Sequence, residues 1–215
     1  MKRILIIIGI LSFIACGSNK NAIVDTNIDQ AAKYAATITA KDLGAHLFTY
    51  ASNEYEGRDT GEPGQKKAVE YLKNFYISTN IPSPLGNDDY FQEVSGEWLS
   101  NTSRRGKLKD SENVVAFIRG TEKPDEIIVI SAHLDHEGIK NNEIYNGADD
   151  DGSGTVAMLE IAEAFQMAVK NGKGPKRSIL FLHVTGEEKG LLGSKYYADE
   201  DPIFPLANTV CDLNI

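Results

Sequence analysis

Residues 127–136 read Ile-Ile-Val-Ile-Ser-Ala-His-Leu-Asp-His, and this stretch decides the fold class. Its first part, Ile127 to Ala132, is short, apolar and rich in β-branched residues, which is typical of a strand buried on both faces. Similar runs occupy Val114 to Ile118 and Ile179 to Val184, and residues 155–169 carry apolar side chains at helical spacing. Strand and helix therefore alternate, which predicts an α/β fold: a three-layer sandwich around a largely parallel mixed central sheet.

The segments upstream of this stretch contain further helices and a strand. Apolar residues recur at helical spacing over residues 42–55 and 64–77, which predicts two helices. The loop between them contains several glycines, and Pro63 lies where a helix can begin. A strand is expected near Tyr90 to Val94, and residues 100–110 are polar enough to form a loop.

The first residues are typical of a bacterial export signal. Lys2 and Arg3 precede an apolar run that is shorter than the roughly 20 residues needed to span a bilayer. Phe13-Ile14-Ala15-Cys16 resembles a lipobox, in which cleavage leaves Cys16 to carry a diacylglycerol, and an ordinary secretory cleavage site is the alternative. We therefore expect a signal peptide over residues 1–15, a tether over residues 16–40, and a folded domain over residues 41–215. The protein would be exported and held at the cell envelope by its lipid alone.

Charge and cysteine content argue against a nucleic-acid-binding protein and against a disulfide-stabilised scaffold. The formal net charge is −9, and no basic stripe interleaved with aromatic residues occurs, so nucleic acid is not an expected partner. With Cys16 modified, Cys211 has no partner cysteine, so the domain is not a disulfide scaffold.

Three clusters of potential metal ligands follow predicted strands or precede the next helix. They contain His133 with Asp135, the run Asp149-Asp150-Asp151, and Glu187 with Glu188. In open α/β sheets, binding sites lie at the edge formed by the carboxyl ends of the strands. The adjacent aspartates repel one another unless a cation neutralises them. Of two adjacent glutamates, one can bind a metal ion while the other accepts a proton from the metal-bound water. Each cluster alone also fits an ordinary polar turn, but together they indicate a metal site.

These clusters, with Glu56-Gly57-Arg58 and Gly61 upstream, resemble the motifs of metallopeptidase family 28, the bacterial di-zinc aminopeptidases related to leucyl aminopeptidase. The resemblance runs from about Leu43 to the last residue. It implies a zinc exopeptidase-like fold, of which residues 41–215 form the N-terminal part. It also implies a hydrolase that uses two zinc ions to remove N-terminal residues from peptides with free N-termini.

The resemblance implies a role for each matched residue. His133 would bind one zinc ion, Asp150 would bridge both ions, and Glu188 would bind the second. Glu187 would act as the general base, and Asp135 would orient His133 by accepting a hydrogen bond at its carboxylate. The other histidines match no ligand position and are expected to be structural: His46, His136 and His183.

Two ligands of the family are not found in the sequence. One is an aspartate that directly follows a Leu-Asn-Ile strand, here Leu213 to Ile215, and the other is a distant histidine. We therefore expect a C-terminally truncated domain that is inactive or barely active alone. A glutaminyl cyclase-like zinc enzyme and a non-catalytic receptor-like ectodomain are the alternatives, and zinc-dependent turnover distinguishes the receptor from the enzymes.

Overall fold

The computed structural model describes residues 26–103 and 105–215. The expected signal peptide and the lipid-bearing Cys16 lie outside these residues, so both stay predictions. Within the described part of the chain, no helix has both the length and the apolar character needed to cross a membrane.

The elements of the described residues alternate between helix and strand, as the hydrophobic pattern predicts. The helices are α1 (Thr26–Ala35), α2 (Ala40–Tyr50), α3 (Pro63–Thr79), α4 (Gly96–Thr102), α5 (Ser153–Lys170) and α6 (Leu192–Lys195). The strands are β1 (Phe91–Val94), β2 (Ser111–Ile118), β3 (Lys123–His133), β4 (Gly138–Lys140), β5 (Glu143–Tyr145), β6 (Arg177–Val184) and β7 (Thr209–Asn214). The predicted helices at α2, α3 and α5 and the predicted strands at β1, β2, β3 and β6 are confirmed.

A five-stranded sheet in the order β1-β2-β6-β3-β7 forms the centre of the described residues. The pairs β3–β6 and β3–β7 are parallel, whereas β1–β2 and β2–β6 are antiparallel. The α/β fold with a mixed sheet is therefore confirmed, with its parallel part confined to one side.

The register of the parallel strands places their carboxyl ends at one edge. His133 at the end of β3 lies opposite Val184 at the end of β6, and Ser131 lies opposite Asn214 of β7. The residues that follow β3 and β6 are consequently close in space although they are far apart in sequence.

The sheet separates two hydrophobic cores. On one face, Phe181 of β6 is buried with Leu72 of α3 and Leu159 of α5. On the other face, Val129 of β3 packs with Tyr197, which lies after α6. Helices and helical turns on both sides of the sheet give the expected three layers, and burial of each such side chain stabilises the fold by about 1.5–3 kcal/mol.

Helix α1 differs from the tether expected over residues 16–40, because residues 26–35 are helical. Ala31, Tyr34 and Ala35 line one side of an apolar cavity of about 840 Å³, and Phe165 of α5 lines the other. Residues three and four apart share one helix face, so these side chains form an apolar stripe. The stripe is too weakly hydrophobic to stand out from the polar sequence around it.

Helix α4 includes residues 100–102, which were expected to belong to a loop. The side chain of Ser95 accepts a hydrogen bond from the N–H of Trp98 at 3.2 Å and caps the start of this helix. The capping interaction and the burial of Leu99 stabilise a short helix that the polar composition does not indicate.

His183 is a fully buried residue of β6, and its Nε2 lies 2.7 Å from the hydroxyl oxygen of Tyr76. Burial disfavours the charged imidazole and lowers the pKa of His183 to about 3. This environment is consistent with the structural role expected for His183.

We expect His183 to decrease stability as the pH falls. Below its ordinary pKa of 6.5 the unfolded chain binds a proton here, whereas the native protein does so only near its pKa of about 3. The free energy of unfolding therefore decreases as the pH falls between these values. Urea unfolding in the presence of a chelator, from about pH 7 to about pH 4, should show a weaker pH dependence for His183→Gln than for wild type. Equal slopes in the two proteins would contradict this account.

Candidate metal centre

The predicted site residues converge at the carboxyl ends of β3 and β6. His133 ends β3, Glu187 follows β6, and Asp150 lies in the irregular turn Ala148–Gly152 before α5. All three line one cavity of about 620 Å³. The structure therefore brings together residues from each of the three sequence clusters.

Both ring nitrogens of His133 face oxygen atoms. Nε2 lies 2.9 Å from Oδ1 of Asp150, and Nδ1 lies 3.0 Å from the backbone carbonyl oxygen of Asp135. A neutral imidazole has only one N–H, so it can donate to only one of these acceptors. Either the ring is protonated, or a cation shares the lone pair of Nε2 with Asp150.

The electrostatic surroundings of His133 are strongly acidic. Burial alone would lower its pKa, but the carboxylates of Asp135, Asp151 and Glu187 outweigh burial and raise it. These carboxylates stabilise positive charge at this position, whether it is a proton or a metal ion.

The side chain of Asp135 connects three segments of the site. Its Oδ2 accepts a hydrogen bond from the Thr60 hydroxyl at 2.7 Å, and its Oδ1 accepts one from the N–H of Glu187 at 3.1 Å. Burial raises the pKa of Asp135 to about 6, although the hydrogen bond from Thr60 opposes this shift. Asp135 thus fixes the backbone from which the Glu187 side chain projects.

The expected interaction of the Asp135 carboxylate with His133 needs correction. Oδ1 of Asp135 lies 3.9 Å from Nδ1 of His133, beyond hydrogen-bond distance, whereas the backbone carbonyl of Asp135 lies at 3.0 Å. The carboxylate is turned away because Thr60 and Glu187 already donate to it. The backbone of Asp135 is therefore the group that orients the ring.

The aspartates of the acidic turn have different environments. Asp151 accepts hydrogen bonds from the N–H groups of His133 at 2.9 Å and Gly154 at 3.1 Å, so its carboxylate joins β3 to the start of α5. The side chain of Asp150 is 67% exposed and directs Oδ1 at His133. This difference favours Asp150 over Asp151 as a metal ligand.

His136 lies in the centre, although it was expected to be structural. Its Nδ1 is 3.0 Å from Oε1 of Glu188. One potential ligand atom each from His136, Asp150 and Glu188 lies within 4.8 Å of the other two. His136 matches no ligand of the family pattern, and its position three residues after His133 is the sequence signal that could have indicated this place.

The loops that carry these residues are joined by the guanidinium of Arg58, which is fully buried. Its N–H groups donate to the backbone carbonyls of Tyr50, Leu134, Asn146 and Gly147 at 2.7–3.1 Å. Leu134 belongs to the loop after β3, and Asn146 and Gly147 precede the acidic turn. The guanidinium also lies 4.6 Å from the centre of the Tyr50 ring, a cation–π distance.

Comparison with known proteins identifies the family. Residues 113–215, which contain all of the predicted ligands and the predicted base, match the sequence model of peptidase family M28. This region of the chain belongs to peptidase family M28. The resemblance seen in the sequence motifs is thereby confirmed.

The M28 region has relatives of known sequence and known structure. Over 122 residues the chain is 34% identical to a probable glutamate carboxypeptidase, AMP1, of Arabidopsis thaliana, covering 56% of this chain and 16% of that protein. A Zn-dependent exopeptidase from Parabacteroides distasonis has a TM-score of 0.64 at 19% identity, covering 82% of this chain and 60% of that one. Porphyromonas gingivalis glutaminyl cyclase also gives 0.64, at 18% identity with the same coverage. The two structures show the zinc exopeptidase-like fold, and the chain spans only part of each relative.

We expect Arg58→Met to lower the free energy of unfolding by about 3–5 kcal/mol, because it leaves buried backbone carbonyls without donors. Urea unfolding in a chelator measures this change without a contribution from bound metal. The control is Arg119→Met at an exposed position, where the expected change is within about 0.5 kcal/mol. Similar losses in the two variants would contradict the role assigned to Arg58.

Proposed function

We propose that this chain is part of a zinc-dependent peptidase that removes N-terminal residues from peptides. The observation that carries the proposal is that His133, Asp150 and Glu187 line one cavity, with Glu188 in ligand range of Asp150. Membership of the region in peptidase family M28 supports peptide hydrolysis as the reaction.

The donor atoms at this site fit zinc. Imidazole nitrogen and carboxylate oxygen are common zinc ligands, and bonds of about 2.0–2.2 Å at tetrahedral angles put two donors about 3.3 Å apart. The 2.9 Å between Nε2 of His133 and Oδ1 of Asp150 is close to that separation. We propose that His133 and Asp150 hold one ion, and that Asp150 and Glu188 hold a second.

In this proposal Glu187 moves the proton during hydrolysis. When bound, zinc lowers the pKa of water and polarises a substrate carbonyl. The Glu187 carboxylate takes a proton from the attacking water, whose oxygen adds to the carbonyl carbon of the scissile amide. As the C–N bond breaks, Glu187 gives this proton to the departing amine nitrogen. The hydrogen bond from its N–H to Asp135 holds Glu187 beside the proposed zinc ligands.

The charge of the cavity favours substrates with a free N-terminus. Besides the proposed ligands and base, the carboxylates of Asp149 and Asp212 line its walls. Because Asp149 and Asp212 are not among the proposed zinc ligands, their charges stay available to attract the α-ammonium group of a peptide and to repel a C-terminal carboxylate. This property supports an aminopeptidase over the carboxypeptidase activity named for the Arabidopsis relative.

A substrate panel assayed with the protein expressed from its full gene tests the specificity. It contains aminoacyl anilides, N-acetylated peptides ending in glutamate, and peptides beginning with glutamine. We expect chelator-sensitive, zinc-restored cleavage of the anilides and no cleavage of the acetylated peptides. Release of C-terminal glutamate would instead indicate a carboxypeptidase, and release of ammonia from N-terminal glutamine would indicate a cyclase. Bound zinc without any turnover would favour a non-catalytic relative.

We expect Glu187→Gln to lower kcat by about 10²- to 10⁴-fold, because the carboxamide cannot accept the proton from water. The zinc content should stay at the wild-type level, since Glu187 is not a proposed ligand. Glu143→Gln, at an exposed position of β5, is the matched control and should keep wild-type kcat. Wild-type turnover in Glu187→Gln would show that another group is the base.

A further inference from the structure

The ring of His136 is held rigidly within the candidate metal centre. Its side chain is only 12% exposed, and its backbone N–H donates to the carbonyl of Arg58 at 3.1 Å. The ring packs directly on Gly147, where a Cβ atom would lie 2.4 Å from Cγ of His136. Gly147 also has a φ of +54°, so glycine meets both the conformational and the steric requirement of this contact. The fold thus reserves a defined place for this imidazole.

The Nδ1 atom of His136 is buried and makes no hydrogen bond. Oε1 of Glu188 lies only 3.0 Å away, but it is not aligned for a hydrogen bond with the ring nitrogen. A buried polar atom without a partner costs about 1–3 kcal/mol. Two donor atoms that are close but not aligned with each other are the arrangement expected when both bind the same ion.

We propose that His136 is a direct ligand of the second zinc ion, together with Asp150 and Glu188. This inference rests on the proposed function, because it concerns the same metal centre. Imidazole nitrogen and carboxylate oxygen are common zinc ligands. Asp150 and Glu188 supply two carboxylate ligands, and His136, from the loop after β3, is the histidine that the described residues place within ligand range of both. His133 and His136 then serve different ions, with Asp150 between them.

A purely positioning role for His136 makes a different prediction from a ligand role. In a positioning role, His136 would hold the Glu188 carboxylate by a hydrogen bond from Nδ1. The side-chain amide of asparagine reaches the position of Nδ1 and can donate the same hydrogen bond, but it is a poor zinc ligand. His136→Asn therefore preserves the positioning interaction and removes the proposed coordination bond.

Zinc titration of the full protein by calorimetry, with zinc content after dialysis, tests the proposal first. We expect two zinc ions in wild type and more than about 100-fold weaker binding of one of them in His136→Asn, a loss beyond the range for groups outside the ligand shell. His46→Asn on α2 is the matched control and should bind both ions normally. Unchanged affinities in His136→Asn would overturn the ligand role while leaving the proposed function intact. Absence of zinc binding by wild type would defeat the proposed function itself, and this inference with it.

Cobalt spectroscopy of His136→Cys tests direct contact between residue 136 and the metal. Cysteine supplies a thiolate, which gives a sulfur-to-cobalt charge-transfer band only when it binds the ion. We expect this band in cobalt-loaded His136→Cys, and not in wild type or in His46→Cys, which both retain Cys211. Bound cobalt without the band would overturn the proposal. If His136→Asn fails to fold, this spectrum still tests whether residue 136 binds the metal.

Discussion

The buried guanidinium of Arg58 fixes the geometry of the candidate site, because its donors are shared between the two loops that carry the proposed ligands. It binds the carbonyl of Leu134 beside His133 and the carbonyls of Asn146 and Gly147 before the acidic turn. A planar group with several N–H donors can hold such diverging carbonyls where a single ammonium cannot. The parallel register brings β3 and β6 together, and Arg58 then sets how closely the acidic turn approaches them.

The consequence of this arrangement is a concentration of carboxylates around His133. Asp151 and Asp135 accept hydrogen bonds from backbone N–H groups and are part of the scaffold. Asp150 and Glu188 instead face the imidazoles of His133 and His136. The carboxylates that accept backbone hydrogen bonds therefore belong to the scaffold. Asp150 and Glu188, which face imidazole rings instead, have the chemistry of a metal site.

The fold and much of the site could be predicted from the sequence, because both depend on local patterns. Apolar runs indicated β3 and β6, and the position of the acidic clusters after strands indicated the site. The contacts of Arg58 and His136 could not be predicted this way, since they join distant segments. Arg58 is a residue of an ordinary glycine-containing turn in the sequence, and only the fold places Asn146 against it. Helix α1 was missed because its apolar face consists mainly of alanine.

We propose that these residues hold zinc beside Glu187. A crystal structure of the zinc-loaded protein, with anomalous data collected at the zinc edge, would locate the ion. We expect an anomalous peak about 2.0–2.2 Å from both Oδ1 of Asp150 and Nε2 of His133, close to the Glu187 carboxylate. Zinc bound elsewhere on the protein, with none at Asp150, would show that these residues do not form the metal site.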